Sequence, residues 1–141
     1  FSHYERLAIS RLASLYGGVA RTDVRIADVS IDAVRERDSG SIGIEVKHVS
    51  EFRIAKAGLK LHREIRLVVR RLSNIIYRND HIDKFLLVLV AYFPKDTKEW
   101  TDLSALAHKV RVEYPSIGVR VFSTDDFDNP TNPMFQGDWG E

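Results

Sequence analysis

The rhythm of hydrophobic and polar positions changes several times along the chain, and each change marks an element. From Ser2 to Tyr16, Leu7, Ala8, Ile9, Leu12 and Leu15 form an apolar stripe at helical spacing. Ser2-His3-Tyr4-Glu5 has the S-x-x-E form of a capping box, and Gly17-Gly18 stops the helix. The pattern then shortens to near-alternation. It predicts strands over Val19 to Ile26, Asp28 to Arg35 and the β-branched run Ile42 to Val49, with a turn at Asp38-Ser39-Gly40-Ser41. These segments read as a meander of hairpins.

A helical rhythm returns from about Glu51 to Arg78, where Ile54, Leu61, Ile65, Val68, Leu72 and Ile76 recur at three- and four-residue spacing. Lys84 to Tyr92 is an almost unbroken apolar run, which predicts a strand covered on both faces. Thr101 to Tyr114 predicts a second amphipathic helix with Leu103, Leu106, Ala107 and Val110 inward. Gly118 to Ser123 predicts a last short strand. The resulting order is α-β-β-β-α-β-α-β. Early hairpins require antiparallel pairing and late helical crossovers require parallel pairing, so the fold class is α/β with a mixed central sheet flanked by helices. The expected division is a domain over residues 1–123 and an acidic, Pro/Asn-containing tail over 124–141, lying on the surface.

The strand pattern gains chemical content between Ile31 and Lys47. Side chains alternate along a strand, so Glu45 and Lys47 share one face while Ile42, Ile44 and Val46 share the other. An even-numbered hairpin loop sets Asp32 opposite or diagonal to them on the same face. Two carboxylates and an ammonium would then converge. Asp32 and Glu45 suit Mg²⁺ or Mn²⁺, which takes one or two carboxylates and keeps several waters, and the Val46 carbonyl is a further candidate ligand. Lys47, charged beside two carboxylates, is placed to hold the attacking water in phosphodiester hydrolysis. An E-x-K triplet alone is equally a solvated strand face; Asp32, the apolar frame and the element order give it meaning.

Charge adds a partner. The net charge of the 141-residue chain is +1, but residues 35–78 carry 11 Lys or Arg against 5 Asp or Glu, whereas 79–141 carry 6 against 11. Lys56, Lys60, Arg63, Arg66 and Arg70 fall opposite the apolar stripe of the long helix. They form either a row along a phosphate backbone or an ordinary solvated face. Lys56, Lys60 and Arg63 are the substrate-binding candidates. The expected partner is nucleic acid, DNA before RNA.

Composition removes other chemistries. Cysteine is absent, so thiolate metal sites and disulfides are excluded. The five histidines, at 3, 48, 62, 81 and 108, form no zinc-ligand pair, and no phosphate-binding glycine loop is present. No apolar run has membrane-spanning length and no signal peptide is visible, which predicts a cytoplasmic protein without membrane contact. The start at Phe1 rather than Met is consistent with a piece of a longer protein; assembly as a homodimer or attachment to a larger chain both fit.

Asp32 at the end of an apolar strand, a glycine turn, Glu45-Val46-Lys47 inside the next strand and the surrounding α-β-β-β-α-β order resemble the PD-(D/E)XK nuclease superfamily, the restriction-endonuclease-like fold. The resemblance spans roughly residues 1–123. It implies that Asp32 and Glu45 bind Mg²⁺ or Mn²⁺, that Lys47 assists the nucleophilic water, and that Glu5 on the first helix completes the site. Glu5 is equally the third residue of the capping box, and both readings stand. Asp28 is the rival to Asp32, and Asp23 reads as exposed. No proline precedes Asp32, and no Gln-x-x-x-Tyr follows Lys47, so no branch is indicated. The implied function is a metal-dependent endonuclease, the cleavage domain of a larger restriction, repair or defence protein. The alternative is a catalytically silent nuclease-like module that binds nucleic acid or a protein partner.

Overall fold

The computed structural model describes residues 3, 4, 6, 7, 10, 20–26, 29–37, 40–50, 63–74, 76 and 82–128; for 20–26, 29–37, 40, 82 and 83 the description is of the backbone. Five strands form one sheet in the order β1-β2-β3-β4-β5: β1 Ala20–Ile26, β2 Val29–Arg37, β3 Gly40–Val49, β4 Ile82–Ala91 and β5 Ile117–Ser123. β1, β2 and β3 are antiparallel neighbours, and β3, β4 and β5 are parallel ones. The result is a mixed α/β architecture whose three-stranded parallel part is flanked by helices.

Pairing, more than composition, sets the strand ends. The sequence pattern predicts a turn over 38–41, yet Arg37 still pairs with Gly40 and Glu36 with Ser41. Ladder hydrogen bonds continue as far as the backbone groups can find partners, whatever the polarity of the side chains.

Alternation on the parallel strands builds two apolar layers. Val49 of β3 and Phe85, Leu87, Leu89 and Ala91 of β4 pack with Ile65, Val69 and Leu72 of the helical run 63–74, and with Leu103, Leu106, Ala107 and Val110. Ile42, Ile44 and Val46 of β3 join Leu86, Val88, Val90, Phe122 and Phe127 in the other layer, with Tyr4 and Leu7 against them. β4 is buried on both faces, which is why its sequence is continuously apolar. Full burial of each Leu or Phe contributes roughly 1.5–3 kcal/mol.

On the 63–74 run, Ile65 and Leu72 of the predicted stripe are fully buried, and so is Val69, which the stripe omitted. Val68 and Ile76 of the stripe are partly buried against the same layer, and Ile54 and Leu61 lie outside the described residues. The helix predicted from Thr101 starts three residues earlier, at Lys98, and runs to Glu113. Thr97 explains the start: its side-chain oxygen accepts from the Trp100 N–H at 3.3 Å while its hydroxyl donates to the Pro94 carbonyl at 2.7 Å.

The predicted surface tail is different at its beginning. Thr124–Asp128 forms a short helix whose Asp126 and Phe127 are buried. Phe127 fills the second apolar layer. Asp126 accepts the Ser123 N–H at 2.9 Å and Lys95 at 2.6 Å, so a locally acidic sequence is folded onto the sheet. No helix among the described residues is long and apolar enough to cross a membrane.

Candidate active site

β3 sets the site because its alternation separates grease from charge. Ile44 and Val46 enter the second layer, whereas Glu45 and Lys47 turn toward the helical run 63–74. Both are largely covered: the side chain of Glu45 is 13% exposed and that of Lys47 21%. The reading of this pair as a plain solvated strand face therefore does not hold. His48, next in the alternation, points away as predicted and meets the Tyr92 hydroxyl at 2.7 Å through Nδ1.

The β2–β3 register runs from Arg37↔Gly40 to Ala33↔Ile44. Asp32 of β2 and Glu45 of β3 are the next residues beyond that last pair, and the same register carried one step further would set them opposite one another. The β1–β2 register, with Thr22↔Ala33 and Val24↔Ile31, sets Asp23 opposite Asp32. Asp23 and Asp32 thus share one row, which the continued β2–β3 register would extend to Glu45. Sequence reading ranked Asp23 only as an exposed residue, because its row is visible only once both hairpin registers are known. Asp28, Glu5, Lys56 and Lys60 lie outside the described residues.

Two charged residues on the helix complete the arrangement. Arg71 Nη2 donates to Glu45 Oε2 at 2.8 Å. Lys47 Nζ lies 3.8 Å from Glu64 Oε2. The helix therefore runs back along β3, with Arg71 over Glu45 and Glu64 over Lys47. Seven residues span about 10 Å of helix axis, and two strand residues span about 7 Å; long side chains close the difference. Within this set Glu45 and Glu64 are offset by Lys47 and Arg71. Sequence reading missed Glu64 and Arg71. Their signal is an oppositely charged pair two helical turns apart, bordering the buried Ile65, Val69 and Leu72.

The basic row divides when seen in three dimensions. Arg63 and Arg70 are exposed. Arg66 instead hydrogen-bonds Glu113 of the Lys98–Glu113 helix. That hydrogen bond holds the Glu113 carboxyl below the usual carboxylate range and raises the Arg66 guanidinium.

The donor set fits a hard divalent cation. Glu45 is a shielded carboxylate that already attracts a cationic group, Asp32 lies one residue beyond the last β2–β3 pair, and oxygen ligands suit Mg²⁺ or Mn²⁺. Among the described residues no group of three His, Cys, Asp or Glu side chains is assembled to hold a metal. Val46 lies between Glu45 and Lys47 with its side chain buried in the opposite layer.

No protein-family model matches the chain, and no curated protein matches it. Among solved structures it is similar to SfsA of Pyrococcus furiosus in complex with Ca²⁺, at 14% sequence identity and a TM-score of 0.44. The match covers 85% of this chain and 54% of that one, so this chain spans about half the length of that structure. The functional reading rests on the geometry of β3 and its helix.

Proposed function

We propose that this chain is a nuclease domain that hydrolyses phosphodiester bonds, DNA before RNA, with Mg²⁺ or Mn²⁺ held by Asp32, Glu45 and the Val46 carbonyl. The supporting observation is the placement of Glu45 and Lys47 on one shielded face of β3; Asp32 is the residue of β2 next to Ala33, the last to pair with β3. When bound, the metal would polarise the phosphate and make a bound water more acidic. Lys47 positions the attacking water and offsets the charge that grows on the phosphate oxygens. Glu64 Oε2, 3.8 Å from the ammonium, sets a carboxylate beside Lys47. Water oxygen bonds to phosphorus and gives up a proton as the bond to the leaving sugar oxygen breaks; that oxygen takes up a proton. Exposed Arg63 lies one residue from Glu64 and contacts the nucleic-acid backbone, with Lys56 and Lys60 as further candidates.

The test is cleavage with Mn²⁺ across plasmid, linear duplex, single-stranded DNA and RNA. Glu45→Ala and Lys47→Ala should each lower the rate by about 10²–10³-fold while the protein stays folded. Cleavage that survives both substitutions overturns the reading. A second reading, the catalytically silent module, is favoured by one observation: Glu45 and Lys47 are already compensated by Arg71 and Glu64. If Mn²⁺ fails to raise the melting temperature, the silent module is preferred.

A further inference from the structure

We propose that Arg71 couples metal binding to nucleic-acid binding: it neutralises Glu45 while no cation is held there, and turns to a phosphate oxygen of the substrate once one is. This inference rests on the proposed function and assigns a positioning residue to the same site.

Three observations carry it. Arg71 Nη2 is 2.8 Å from Glu45 Oε2, so the guanidinium occupies the cationic side of that carboxylate. Glu45 is only 13% exposed, whereas Arg71 is 44% exposed. A shielded carboxylate needs a compensating charge, and a partly solvated guanidinium can leave without disturbing the core. Val69 and Leu72, on either side of Arg71 in the chain, are fully buried, so the helix backbone is anchored and the movement is confined to the side chain.

A divalent cation at Glu45 replaces the arginine's single charge with a larger one and repels the guanidinium. The displaced group then stands at the mouth of a site whose substrate is an anion. A guanidinium recognises phosphate with two parallel hydrogen bonds, which an ammonium cannot do. The same residue therefore opposes metal binding in the free protein and favours substrate binding in the metal-loaded one.

These two roles have opposite signs, and a merely structural role does not. In Arg71→Gln, Mn²⁺ titrated without nucleic acid should bind about tenfold more tightly, the scale of one charge-assisted contact. The same variant should bind a short labelled duplex about tenfold less tightly in Ca²⁺, read by fluorescence anisotropy. Arg71→Lys, which keeps the charge and loses the fork, should hold Mn²⁺ affinity near that of the parent while duplex binding falls; it carries the test if Arg71→Gln does not fold. Parallel losses of both affinities, a change in only one of them in Arg71→Gln, or no change overturn this inference and leave the proposed function standing. Absence of Mn²⁺ binding in the unsubstituted protein overturns both.

Discussion

Gly43 of β3 lies directly beneath the ring of Phe85 on β4, and a Cβ at Gly43 would stand inside the space that Cε1, Cδ1 and Cζ of that ring occupy. The glycine is there so that the ring can pack against the backbone. Phe85 is fully buried and has no room to withdraw. Gly43→Ala is expected to destabilise the fold by about 1–3 kcal/mol, the usual cost of overpacking. Urea unfolding measures this as a lower midpoint at unchanged slope. Because Glu45 is two residues away on the same strand face, the variant should also weaken Mn²⁺ binding.

Asp126 joins the final helix to the end of β5. It is 2% exposed and accepts from the Ser123 N–H and from Lys95. Asp126→Ala removes both acceptors and strands a buried N–H, which should cost about 1–3 kcal/mol. Lys95→Met leaves the Ser123 bond in place and should cost less, since Lys95 is 42% exposed. Thermal melts that rank the two variants in the reverse order would contradict this account.

Glu113 sets an acid-side dependence. Its carboxyl is held below the usual range by the hydrogen bond to Arg66, so its contribution is present above the unfolded-state value and is lost as pH falls through the lowered native value. Arg66 is raised, so its part is present at every pH below the ordinary arginine range and adds nothing to acid unfolding. Glu113→Gln should flatten the fall of melting temperature below about pH 5. Equal slopes in variant and parent would show that the pair does not link the two helices in solution.

Arg63 is exposed at the start of the 63–74 run. If it neutralises one phosphate, Arg63→Ala should lower duplex affinity alike for all sequences and reduce the salt slope of log K by about 0.9. An unchanged slope would return Arg63 to the solvated surface.

Much of this arrangement was legible in the chain, and the reasons differ from element to element. The unbroken apolar run of β4 reports burial on both faces, and the alternation around Glu45 and Lys47 reports a two-sided strand. Glu64 and Arg71 were not legible. Charged residues bordering an apolar helical stripe look the same whether they meet water or a neighbouring strand, and only the antiparallel course of the helix over β3 decides between them. The segment from Thr124 misled for a related reason. Its acidic residues suggest solvation, but Phe127 has a place in the core and Asp126 has a backbone N–H to satisfy.

β3 has an antiparallel neighbour on one side and a parallel neighbour on the other. β1, β2 and β3 follow one another with two residues between successive strands, so their pairing needs only local chain closure. Pairing with β4 requires the chain to cross back over the sheet first, a slower event. The expected order therefore builds the strand bearing Glu45 before the helix bearing Arg71 and Glu64 docks on it, which makes charge compensation a late step of folding. Arg71→Gln should accordingly speed unfolding and leave the refolding rate nearly unchanged, a φ-value near zero in stopped-flow chevrons; a value near one would place the helix in the folding nucleus instead.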